Sequence, residues 1–146
     1  MEYILLLTAC INPDGMPFTC LADVGVRKKQ YIEALNFYLK NTTRKIVFVE
    51  NSGTDISSSF KDFQHRIEFL CFDGNLCFDK RKGKGYGEAL ILEYAMAKSE
   101  FITDDVLIFK LTGRLQLINI NRLIHYMDKL SPSKVFTTDY YSIFYR

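Results

Sequence analysis

An α/β fold, with a mostly parallel sheet of about five strands between helices in three layers, is predicted by three features of the sequence. Short β-rich apolar runs alternate along the whole chain with stretches of helical apolar spacing. Most of these runs are continuously apolar rather than alternating, the pattern of parallel strands covered on both faces. The stretches between them are long enough for right-handed crossovers, and no repeat, low-complexity segment or linker interrupts them. A single domain over residues 1–146 is therefore expected, and a chain of that length buries roughly two-thirds of the surface its unfolded form exposes.

Tyr3 to Ala9 reads as the first, central strand. Cys10 to Val26 contains Asn12-Pro-Asp-Gly15 and Pro17, a turn-rich loop long enough to suggest a functional role. Arg27 to Lys40 is helical, with Tyr31, Ile32, Leu35, Tyr38 and Leu39 on one broad face. Lys45 to Val49 is a second buried strand. It ends in Glu50-Asn-Ser-Gly-Thr-Asp55, where Asp55 or Ser57 can cap a short helix through Phe63. Arg66 to Phe72 alternates enough to lie near a sheet edge, and Asp73-Gly-Asn75 closes it. Residues 76–85 form a basic loop, and Tyr86 to Ser99 is a helix apolar nearly all round, which predicts burial against the sheet. Val106 to Leu111 is the fourth strand, and Asn121 to Leu130 an amphipathic helix with Leu123, Ile124, Met127 and Leu130 inward, stopped by Ser131-Pro-Ser133. Lys134 to Thr138 reads as a fifth strand ahead of an aromatic tail.

Composition narrows the function. With 48% hydrophobic and 25% charged residues the chain can afford a core, so disorder is not expected. A net charge of +2 and a pI near 8.3 are too mild for a protein that wraps nucleic acid, so no nucleic-acid partner is expected. Met1-Glu-Tyr-Ile-Leu-Leu-Leu carries an acid where a signal peptide needs cations, and its apolar run is strand-sized, which predicts a cytoplasmic protein. Cysteines 10, 20, 71 and 77 lack Cys-x-x-Cys or His spacing, so reduced thiols and no metal site are expected.

In an open parallel sheet the ligand lies beyond the carboxyl ends of the strands, so chain direction sorts the polar residues. Thr8, Asn12, Glu50, Asn51, Ser52, Asp55, Asp73, Thr112 and Arg114 fall on that side, whereas Asp104 and Asp105 precede their strand and fall on the other. Lys80-Arg-Lys-Gly-Lys-Gly-Tyr-Gly-Glu88 places four cations ahead of a helix N-terminus and reads as a phosphate cradle. Its Gly-x-Gly-x-Gly spacing matches neither the dinucleotide fingerprint nor a Walker loop, and a solvated lysine-glycine loop is the alternative. Glu88, in the first turns of that helix, suits either the helix dipole or chemistry. Thr112-Gly-Arg114 sets a fork-shaped cation at a strand end, suited to diphosphate oxygens. His65 and His125 read as surface residues, and no nucleophile triad is visible.

The order of these features resembles the nucleotide-sugar-binding half of a GT-A-fold glycosyltransferase. Ile46-Val-Phe-Val-Glu-Asn-Ser-Gly-Thr-Asp55 is similar to the second-strand motif of the family 2 transferases, and Gly85-Tyr-Gly-Glu-Ala-Leu through Ile102 resembles the helix ahead of their metal-binding strand. The resemblance spans about residues 3 to 120 and implies a Rossmann-like sheet. It also implies transfer of a sugar from a nucleotide-diphosphate sugar to a glycan or lipid-linked acceptor, in the cytoplasm or at the inner face of the membrane. Thr8, Asn12, Asn51 and Asp55 would bind the nucleotide sugar; the resemblance places the second-strand turn against the nucleoside. In place of Asp-x-Asp the fourth strand ends Leu111-Thr-Gly-Arg114, as in surface-polysaccharide enzymes of bacteria with a Lys-x-Thr-Gly-Arg ending. A metal-independent enzyme is implied, with Lys110 or Arg114, together with Lys82 and Lys84, supplying the charge of the cation. The chain stops where family members continue into an acceptor half, so a minimal or truncated protein is expected, with Glu50, Asp73 or Glu88 as the catalytic base. A nucleotide- or nucleotide-sugar-binding module without turnover is the other expectation.

Overall fold

The computed structural model describes residues 2–17, 19–74 and 78–129; the expected fifth strand at Lys134 to Thr138, Leu130, the Ser131-Pro-Ser133 stop and the aromatic tail lie outside the described residues. The described residues form an α/β structure on an all-parallel sheet of four strands. In chain order the elements are β1 (Glu2–Ala9), α1 (Val24–Asn41), β2 (Ile46–Glu50), β3 (Ile67–Cys71), α2 (Lys84–Lys98), β4 (Val106–Thr112) and α3 (Ile120–Asp128), with short 3-10 segments at Ser57–Phe63 and Lys80–Lys82.

The strand order is β3-β2-β1-β4, so β1 has a neighbour on each side, as its unbroken apolar run predicts. Alternate residues of β1 feed two separate cores. Tyr3, Leu5, Leu7 and Ala9 join Tyr31, Ala34, Leu35 and Tyr38 of α1 with Ile120 and Ile124 of α3. Ile4 and Leu6 join Val47 and Val49 of β2 with Ile91 and Ala95 of α2. Each of these strand leucines is fully buried, and truncating one to alanine removes about 2 to 5 kcal/mol. β3 and β4 end the described sheet, and β4 alternates in exposure with Ile108 and Lys110 outward.

Two expectations need correcting. α1 begins three residues earlier than Arg27, because the Asp23 carboxylate accepts the Val26 N–H at 2.7 Å and caps the helix there. α2 is not buried all round. Gly87, Ile91 and Ala95 form its one buried stripe at four-residue spacing, while Ala89, Ala97 and Met96 are exposed. Alanine is a strong helix former that costs little at a surface, so Ala89 and Ala97 reflect helix propensity, whereas Ala95 is packed in the core.

The chain moves outward from β1 through β2 to β3, then returns to the other side of β1 with β4. β1 and β4 therefore flank the point where the connections leave in opposite directions, and a crevice opens beyond their carboxyl ends. Gly113 lets the two strand ends meet there. Its N–H donates to the Thr8 carbonyl at 2.9 Å, and a Cβ on it would lie 2.8 Å from that oxygen and 3.2 Å from the Tyr31 ring.

Candidate functional site

A cleft of about 400 Å³ occupies this crevice. Its floor is Thr8, Ala9 and Cys10 at the end of β1 with Thr112 and Arg114 after β4; one wall is Lys84, Gly87, Glu88 and Ile91 of α2. Arg27 and Tyr31 of α1, with Pro13, Met16 and Thr19 to Leu21 of the long loop, form the opposite side.

Cations outnumber carboxylates in this lining. Arg27 is 7% exposed, and its guanidinium donates to the carbonyls of Cys10, Ile11 and Leu21, with Nε at 3.0 Å from Cys10 O and Nη1 at 3.0 Å from Leu21 O. Among the described residues no carboxylate lies within salt-bridge distance of it. A buried charge satisfied only by neutral carbonyls is costly, and a bound anion would offset that cost. Arg114 enters from β4, its Nη1 donating to Gln30 Oε1 at 3.0 Å. Lys84 opens α2, whose N-terminus is preceded by Gly83 at φ +82° and carries no side-chain cap. The partial positive charge of that helix end adds to the three side chains.

The only carboxylate lining the cleft among the described residues is Glu88. Its Oε1 accepts the Thr8 hydroxyl at 3.0 Å and the Lys110 ammonium, and neither contact uses Oε2. Thr8, Lys110 and Glu88 meet because even-numbered residues of β1 and β4 share the sheet face on which α2 packs.

The expected site residues separate into two groups. Thr8, Asn51, Lys84, Glu88 and Arg114 line the cleft together. Lys110 is joined to Glu88 rather than to the open cleft, so its charge already has a counter-ion. Lys82 lies with its ammonium 4.4 Å from the Tyr86 ring centroid, and Lys80 reaches back to the Asp14 carbonyl; neither lines the cleft. Two of the cradle cations thus hold the loop in place.

Glu50 is 1% exposed and does not line the cleft. Its Oε1 accepts Ile11 N–H at 2.8 Å and the Ser52 hydroxyl, and its Oε2 accepts Ser52 N–H at 2.9 Å and Thr54 N–H at 2.8 Å. With the Cys71 thiol donating to Oε2 at 3.7 Å, five donors fill the carboxylate and fold the turn after β2 against the loop after β1. Asn12 joins the same seam, its N–H donating to Ser52 Oγ at 2.9 Å. Asp55 is exposed and caps Ser57 through N–H and hydroxyl at 2.7 and 3.0 Å, and Asp73 is exposed beside Gly53; neither lines the cleft.

Sequence reasoning missed Arg27, Thr19, Cys10 and Tyr31. For Arg27 the signal was present: Arg27, Tyr31, Ala34, Leu35 and Tyr38 share one helical stripe, so a cation at its head had to point inward. Cys10, Cys20 and Cys71 are unpaired thiols, and burial, followed by the nearby Glu50 charge, pushes the Cys10 thiol up to about 11. Cys10 is therefore protonated at neutral pH and a poor nucleophile. Among the described residues no three His, Cys, Asp or Glu side chains cluster as a metal site requires, and no helix is long and apolar enough to cross a membrane. No family model, curated protein or solved structure matches the chain.

Proposed function

We propose that the chain is a three-layer α/β/α, Rossmann-like domain of the GT-A type that binds a nucleotide-diphosphate sugar and transfers its sugar to a glycan or lipid-linked acceptor without a divalent cation. The observation that carries this reading is the buried Arg27 guanidinium, held by carbonyls with no carboxylate within salt-bridge distance among the described residues, beside Arg114, Lys84 and the α2 N-terminus at the switch between β1 and β4. A diphosphate needs about two compensating positive charges, and here side chains and a helix end offer them.

In the transfer, an acceptor oxygen forms its bond to the anomeric carbon while the bond from that carbon to the diphosphate breaks. The nucleotide leaves with the bonding pair, its charge stabilised by Arg27, Lys84 and Arg114. The acceptor proton passes to Glu88 Oε2, held in place through Oε1 by Thr8 and Lys110. Positioning and charge stabilisation supply most of the rate in this scheme.

The pairing of Glu88 with Lys110 favours a second reading, a nucleotide-sugar-binding module without turnover. Titration with uridine, guanosine and adenosine diphosphate hexoses in EDTA, followed by assay of nucleotide release with and without glycan acceptors, tests both. Binding in EDTA with release supports the transferase, and binding without release supports the module. Absence of binding, or binding that requires magnesium, removes the proposal.

A further inference from the structure

Three buried side-chain polar atoms lack a hydrogen-bond partner among the described residues: Thr19 Oγ1, Asn51 Oδ1 and Arg66 Nε. Arg66 lies away from the cleft, and its other nitrogens donate to the carbonyls of Leu39, Thr42 and Arg44. The other two both line the cleft. Asn51 is 3% exposed and follows Glu50, whose every lone-pair direction is occupied, so the polar seam that satisfies one residue stops short of the next.

A buried polar group left unpaired is strongly disfavoured, and such groups in folded proteins call for an explanation. A phosphate cannot satisfy the Asn51 carbonyl, because phosphate oxygens at neutral pH accept hydrogen bonds and an amide oxygen also only accepts. The missing partner carries a hydrogen-bond donor. Asn51 stands beside α2: its Nδ2 lies 3.9 Å from where a Cβ on Gly87 would stand, in the first turns of the helix that Lys84 opens. A hydroxylated ring bonded directly to phosphate carries such donors one ring away from the phosphate, in the same cleft that Asn51, Thr19 and the three cations line.

We infer that Asn51 and Thr19 form a hydroxyl-reading subsite, which hydrogen-bonds a sugar ring attached directly to the phosphate held by Arg27, Lys84 and Arg114. The inference rests on the nucleotide-sugar reading and deepens it: the turn after β2 reads a sugar rather than a base. Two rings carry the same chemistry, the ribose and the transferred hexose, and the ligands below separate them.

The test is a titration of the wild type, Asn51→Ala and Thr19→Val with inorganic pyrophosphate, dideoxyuridine diphosphate, uridine diphosphate and uridine diphosphate glucose, with the guanosine and mannose series in parallel. Wild type is expected to gain about tenfold in affinity where the relevant hydroxyls are added, and each variant to lose that gain while binding pyrophosphate and the dideoxy nucleotide unchanged. Loss at uridine diphosphate assigns the ribose; loss at the glucose conjugate alone assigns the hexose. Equal weakening of every ligand, or weakening of none, overturns the subsite and leaves the nucleotide reading standing. Failure of the wild type to bind any ligand overturns both. Thermal unfolding separates function from folding: Asn51→Ala removes an unpaired group, so its midpoint should match or exceed that of the wild type. If it unfolds instead, Thr19→Val, which keeps the side-chain volume, carries the test.

Discussion

Glu50 and Glu88 stand at the ligand side of the same sheet and were equal candidates for one role, yet the fold uses them oppositely. Glu50 is sealed, with both oxygens occupied by donors from the loops after β1 and β2. Glu88 has a side chain 39% exposed, anchors Oε1 twice and lines the cleft beside Arg27, Lys84 and Arg114. A carboxylate whose lone pairs are all taken by backbone N–H groups and neighbouring side chains organises structure, and chemistry needs one with capacity left over. The same contrast separates Glu50 from its neighbour Asn51, which keeps a buried acceptor in reserve.

The largest effect should come from Glu50→Ala. It leaves the donors of Ile11, Ser52 and Thr54 without their acceptor and should remove about 3 to 5 kcal/mol of stability, read from urea unfolding. A loss under about 1 kcal/mol would show that the turn holds without it. Glu88→Gln inverts the pattern: stability should stay within about 1 kcal/mol, since an exposed ion pair contributes little, while sugar transfer falls by about 100-fold or more. Equal turnover in the variant would move the base elsewhere and collapse the comparison.

Gly113→Ala sharpens it from the other side. The added methyl meets the Thr8 carbonyl, so about 1 to 3 kcal/mol of stability and the Thr8 anchor of Glu88 should be lost together, with the Glu50 turn untouched. Nucleotide-sugar turnover in the folded fraction reports the second loss. The smallest effect is a pH dependence of the Glu50 side. Burial first, then the Glu50 charge, raises the Cys71 thiol from 9.0 to about 11. The unfolded thiol ionises first, so its contribution is complete below pH 9.0 and is lost as pH climbs towards about 11. Urea midpoints should fall across that window, and Cys71→Ala should flatten the fall.

Much of this architecture was legible in the residues themselves. The continuous run from Tyr3 to Ala9 revealed an interior parallel strand, chain direction placed Thr8, Asn51, Thr112 and Arg114 on the side where the cleft lies, and the cationic loop ahead of a helix N-terminus pointed to Lys84. Spacing could not show which charges cancel. Lys110 and Glu88 are 22 positions apart, and only the packing of α2 over β1 and β4 joins them. Lys80 looked like a phosphate ligand because local sequence does not reveal that Asp14 lies within reach, whereas Tyr86, four positions after Lys82, was a local signal for the Lys82 contact. Burial of α2 was overestimated because its alanines serve helix propensity as well as packing.

The most direct test is a crystal structure of the protein grown with a nucleotide-diphosphate hexose in EDTA. The diphosphate should lie between Arg27, Lys84 and Arg114, beyond the ends of β1 and β4, with no ion beside it. A diphosphate bound elsewhere on the molecule, or one that enters the cleft only when a divalent cation is supplied, would contradict the account.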